Sequence, residues 1–111
     1  MSNEKKILID SLYINSGGGK EILDLIINYV YKHNLENYFL FLLDSRYTIP
    51  VQSNKKIDFL KISPSEKGRK NFYKQNKNFK SYFSLSNVPP PVYIDNPCGI
   101  YFHNDLFFDP F

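Results

Sequence analysis

Apolar and polar positions along this chain alternate between two kinds of segment. Lys6–Tyr13 (KILIDSLY) is a short apolar run that predicts a buried strand. Asn15-Ser16-Gly17-Gly18-Gly19 follows as a flexible turn. From Lys20 to His33 apolar residues then recur at helical spacing, at Ile22, Leu23, Ile26, Ile27 and Val30, with Leu25 and Tyr29 widening the stripe. Glu21 and Asp24 suit the positive end of this helix, and Lys32 and His33 its negative end. Asn34–Asn37 reads as a turn. Tyr38–Leu43 (YFLFLL) is apolar without alternation, as a strand covered on both faces of a parallel sheet requires.

The second half repeats the theme less clearly. Asp44–Lys56 is polar, contains Pro50 and predicts a loop. Ile57–Ile62 predicts a third strand. Ser63 or Ser65 then caps a helix running to about Phe79, with Pro64 and Glu66 suited to its first turn and Phe72, Tyr73 and Phe79 as its apolar contacts. Gly68 and the asparagines weaken it. Ser81–Leu85 and Gly99–His103 predict a fourth and a fifth strand, separated by three consecutive prolines that exclude helix and central strand. The order β-α-β-β-α-β-β implies an α/β domain: an open, mainly parallel, Rossmann-like sheet with helices on both faces.

Composition narrows the function classes. The 111 residues accommodate one domain, and a hydrophobic content of 42% supports a packed core. Cys98 stands alone, which excludes an internal disulfide or thiolate cluster, and a cytoplasmic setting is the expectation. No apolar run reaches the ~18 residues of a membrane span. The formal charge is only +3, yet Lys55, Lys56, Lys61, Lys67, Arg69, Lys70, Lys74, Lys77 and Lys80 crowd one stretch. Such a cluster attracts phosphates, acidic headgroups or nucleic acid, or simply solvates a helix face. Phe72, Tyr73, Phe79 and Tyr82 interleave with it, as stacking platforms for single-stranded nucleic acid would. No RNA-binding signature accompanies them, and no nucleic acid partner is expected.

Three features carry candidate chemistry. Gly17, Gly18 and Gly19 join strand one to helix one, where a ligand can approach backbone amides and an anion meets a helix N-terminus. Both sharper phosphate motifs fail: Ile14 and Glu21 occupy the places a P-loop reserves for Gly and Ser/Thr, and Ile22 occupies the last glycine of G-x-G-x-x-G. His103 and Asn104 follow strand five on the same predicted edge, where an imidazole can exchange protons near neutral pH. Asn87, ahead of Pro89–Pro91, belongs to a stiff loop beside that crevice. His33 and His103 have no carboxylates at ligand spacing, so no metal is expected. A Ser-His-Asp triad lacks its G-x-S-x-G elbow.

Gly17-Gly18-Gly19-Lys20 after strand one, Ser84-Leu85-Ser86-Asn87-Val88-Pro89-Pro90 after strand four and Tyr101-Phe102-His103-Asn104 on strand five form an ordered set. In order and spacing it resembles the N-terminal domain of glycosyltransferase family 4, notably bacterial enzymes of surface polysaccharide synthesis. The resemblance implies a two-domain GT-B fold that moves a sugar with retention from a nucleotide-sugar to a glycan or lipid-linked acceptor, without metal or other cofactor. It implies that Gly17, Gly18 and Gly19 lie near the donor diphosphate and His103 near the transferred sugar. The family's donor-gripping glutamates, spaced eight apart, have no counterpart among Glu4, Glu21, Glu36 and Glu66. The expectation is therefore a single, incomplete domain over 1–111, inactive without a C-terminal domain or separate partner chain. Its setting is cytoplasmic, with peripheral contact at an anionic inner membrane face. The alternative is a small α/β module that binds a nucleotide, polyanion or partner protein.

Overall fold

The computed structural model describes residues 6–50, 57–76 and 79–85, and the backbone of 98–100. Five strands, β1 (Ile7–Ser11), β2 (Phe39–Asp44), β3 (Asp58–Ile62), β4 (Ser81–Ser84) and β5 (Cys98–Ile100), form one sheet in the order β3-β2-β1-β4-β5. Every pairing among them is parallel. Two helices, α1 (Gly17–Lys32) and α2 (Glu66–Gln75), complete the Rossmann-like α/β arrangement predicted from the pattern.

Strand β1 is hydrogen-bonded on both sides, Ile7 standing opposite both Phe39 and Ser81. Covered on both faces as well, it has no use for polar alternation. Side chains of successive residues point to opposite faces, and each face meets one helix. On one side Ile9, Phe41 and Leu43 pack with Leu23, Ile27 and Val30 of α1. On the other, Leu8 and Leu42 pack with Phe72 and Tyr73 of α2, and with Phe79 and Tyr82. The helices therefore lie on opposite faces. Parallel β2 and β3 need a crossover too. Tyr47 and Ile49, from the loop that follows β2, supply part of it by packing into the α1-side cluster.

Element ends differ from the sequence reading where local geometry overrides periodicity. Strand β1 stops at Ser11 rather than Tyr13, because Tyr13 adopts a left-handed φ of 78°. Helix α1 begins at Gly17, so the glycines form its first turn instead of a flexible linker. That turn holds no acidic residue, Glu21 and Asp24 falling beyond it. The helix closes with Leu35 N–H on Val30 C=O and Asn34 N–H on Tyr31 C=O, around Asn34 at φ 58°. This is the paired-bond stop in which a left-handed residue satisfies the last carbonyls. A 3-10 turn, Glu36–Tyr38, takes the residue expected to start β2. Helix α2 ends at Gln75, short of Phe79. Ser65, not Ser63, caps it, its Oγ accepting the Gly68 N–H at 3.0 Å. Strand β5 begins at Cys98, and residues 101–103 of its expected span lie outside the described residues.

Candidate functional site

The chain leaves β1 through α1 to reach β2 on one side, and returns through α2 to β4 on the other. Adjacent strands whose connections depart in opposite directions leave a crevice at their carboxyl ends, the usual ligand position in open α/β sheets. Here that point falls between β1 and β4, and the β1–α1 turn leaves the same end of the sheet. Ser16 enters α1 with extended backbone, yet its side chain makes no capping bond. Gly17 takes φ 70°, a conformation that disfavours any side chain. Among the described residues, a Cβ added at Gly17 or Gly18 would meet nothing within 4 Å. Gly19 is buried under the same turn. The arrangement offers helix-end amides and a partial positive charge to an anion.

Lys20 completes the turn but is engaged. Its Nζ lies 2.8 Å from Asp24 Oδ2 and 5.8 Å from the centre of the Tyr47 ring. Tyr47 donates its hydroxyl to Asp24 Oδ1 at 2.5 Å. Burial, reinforced by that carboxylate, pushes the Tyr47 phenol far above its ordinary range. Lys20, Asp24 and Tyr47 thus tie the front of α1 to the loop after β2.

A second polar group lies on the α2 side of the same edge, and the sequence reading did not single it out. Asp10, on the α2 face of β1, is buried. Its Oδ2 accepts Arg69 Nε at 2.9 Å and the Tyr73 hydroxyl at 2.6 Å, and its Oδ1 accepts the Leu12 N–H at 3.2 Å. Asp44, closing β2, is buried as well. It accepts Arg46 through Nε, Nη2 and the backbone N–H at 2.8–2.9 Å. These bonds, with another from the Tyr13 N–H, outweigh burial and hold its carboxyl below the usual range. Tyr13 in turn donates its hydroxyl to Glu66 in the first turn of α2. Burial and the Glu66 carboxylate push its phenol up to about 12. The left-handed Tyr13 therefore pins the β1–α1 turn to both β2 and α2. The available signal was an aspartate within or ending each apolar run, in LIDSL and FLLDS.

Of the residues predicted to form the site, Gly17, Gly18 and Gly19 are described, as the first residues of α1 after β1. His103, Asn104 and Asn87 lie outside the described residues, as do Lys55, Lys56 and Lys77 of the basic cluster. Within the described part, that cluster is not one surface. Arg69 is fully buried. Lys61 is two residues from Phe59, which packs on the α1 side, so it faces away from α2. The interleaved aromatics are not stacking platforms either: Phe72, Tyr73, Phe79 and Tyr82 are all in the core. Among the described residues no group of three His, Cys, Asp or Glu could hold a metal, and no helix is long and apolar enough to cross a membrane. No protein-family model, curated protein or solved structure matches this chain.

Proposed function

We propose that this chain is the acceptor-side, N-terminal part of a retaining GT-B glycosyltransferase. In this reading it works with a donor-binding domain or partner chain to move a sugar from a nucleotide-sugar to a glycan or lipid-linked acceptor in surface polysaccharide synthesis. The observation that carries the reading is the start of α1. Its glycine turn has no side-chain cap, leaves room for a Cβ at Gly17 and Gly18 among the described residues, and stands at the strand end where the connections of β1 and β4 diverge. A donor diphosphate would take the amides of Gly17, Gly18 and Gly19, and the resemblance assigns His103 to the neighbourhood of the transferred sugar. The motif order Gly17–Lys20, Ser84–Pro90, Tyr101–Asn104 supports a sugar-nucleotide over other phosphate ligands. The chemistry needs no metal or resident cofactor.

The test is amide NMR of the labelled chain titrated with uridine, guanosine and adenosine diphosphates, each free and as its hexose conjugate. Millimolar binding that shifts the Gly17–Gly19 resonances is the expected result. Failure of all three to move them overturns the reading. The same uncapped helix start favours one alternative, a small module that holds a nucleotide or polyanion without transfer. In that case the shifts occur, while His103→Ala changes neither the affinity nor the response to the attached sugar. A sugar-dependent response lost in His103→Ala favours the transferase.

A further inference from the structure

We infer that the outward face of α2 docks the protein on an anionic lipid bilayer, through Lys67, Lys70 and Lys74. At 3.6 residues per turn these three fall within roughly 60° of arc, and the buried Arg69, Phe72 and Tyr73 all lie outside it. All three lysines are exposed. None takes part in an ion pair with the described residues, whereas Lys6, Lys20, Arg46 and Arg69 each do. Glu66, the one acid of the helix, stands four residues before Lys70 at the border of the stripe, where it accepts the Tyr13 hydroxyl and lies 3.9 Å from Arg69 Nη1. The result is a row of ammonium groups, about 10 Å long, whose one neighbouring carboxylate on the helix is already held by Tyr13 and Arg69.

The chemistry of the row selects among polyanions. Single-stranded nucleic acid is held by base stacking as well as by charge, and the rings that interleave with these lysines in sequence are turned into the core. What remains is a flat set of point charges without ring or fork, which suits the phosphates of a planar headgroup layer. No apolar side chain on this stripe enters the bilayer, so the attachment is electrostatic, reversible and salt-sensitive. This inference stands apart from sugar transfer and holds or fails whatever ligand the glycine turn takes.

The experiment is cosedimentation of the 111-residue chain with vesicles of phosphatidylcholine alone or mixed with phosphatidylglycerol, at low and physiological salt. Retention on the anionic vesicles only, falling with salt, is expected. Lys67→Gln/Lys70→Gln/Lys74→Gln lowers the partition coefficient about 100-fold, at roughly 1 kcal/mol for each lysine near the surface. Lys32→Gln/Lys61→Gln removes charge from exposed positions outside the stripe and changes it less than about threefold. Equal retention on neutral and anionic vesicles overturns the inference. So does an equal loss per charge in the two variant sets, which would reveal attraction by net charge alone. An oligonucleotide that binds at the same salt and displaces the chain from vesicles would make the stripe a nucleic-acid contact instead. Far-ultraviolet circular dichroism confirms that each variant is folded.

Discussion

Arg69 Nε stands 2.9 Å from Asp10 Oδ2, with both side chains wholly removed from water. The pair joins the central strand to α2 directly beneath the carboxyl edge, and the Tyr73 hydroxyl shares the same oxygen. A buried ion pair adds little net stability over apolar replacements, but losing one partner strands a charge at a cost of about 3–5 kcal/mol. Arg69→Met is therefore expected to be severely destabilising. Asp10→Leu/Arg69→Met should recover much of the loss. Urea denaturation of the single and double variants decides it, and a double variant no more stable than the single one contradicts the account.

The two open glycines should respond oppositely to alanine. Gly17 holds a left-handed φ of 70°, so Gly17→Ala costs about 1–2 kcal/mol despite having room for the methyl. Gly18 has helical backbone and free space in front, so Gly18→Ala stabilises α1 by about 0.5–1 kcal/mol. If the ligand approaches here, Gly18→Val weakens nucleotide binding in a fully folded protein. Melting curves and the NMR titration read the two effects separately.

At the start of α2, Ser65 Oγ and the Gly68 position are interdependent. A Cβ on Gly68 would lie 3.0 Å from Ser65 Oγ and press on the cap it faces. Ser65→Ala is expected to cost about 1 kcal/mol. Gly68→Ala should yield less than the usual gain of a glycine-to-alanine change in a helix, or a net loss. In the Ser65→Ala background that deficit should disappear. Additive effects in thermal unfolding would show that cap and glycine act independently.

Asp44 and Tyr13 make stability depend on pH in opposite directions. The Asp44 carboxyl is depressed by Arg46, so its contribution is present above the unfolded carboxylate value and is lost as pH falls through the lower folded value. Wild type should therefore exceed Arg46→Leu in stability at neutral pH, with the gap closing on acidification. A gap that ignores pH would contradict this. The Tyr13 phenol is raised from 10.0 to about 12, so its contribution is complete below 10 and lost as pH climbs through the folded value. Comparing alkaline tyrosinate absorbance of wild type and Tyr13→Phe should isolate a single late-titrating phenol.

Asn34 terminates α1 at φ 58°, a conformation asparagine and glycine tolerate far better than other residues. Asn34→Val should destabilise by about 1–2 kcal/mol, whereas Asn34→Gly should stay close to wild type. Equal stability of the two variants in urea would be the contrary result.

The helix at Ile22–Val30 and the strand at Phe39–Leu43 were readable because apolar spacing is a local record of which face is covered. Ends were less readable. The stop of β1 depends on Tyr13 being turned left-handed, in a loop where its N–H bonds to Asp44 and its hydroxyl to Glu66. The glycine turn could be found from composition, since few residues besides glycine accept the conformation at Gly17. The Asp10–Arg69 pair could not, because its members are separated by 59 positions. The basic run misled for the same reason: charge along a chain does not say which side chains are turned inward.

The amino-acid order alone determined the alternation of strands and helices, their amphipathic faces and the parallel character of the sheet, since each follows from short-range periodicity and side-chain shape. Only tertiary structure decided that β1 lies between β2 and β4, that Arg69 is buried against Asp10, and that Lys61 faces away from α2. Strand neighbours and charge partners are chosen by competition among distant segments for the same buried surface, and that competition is resolved only when the chain closes on itself.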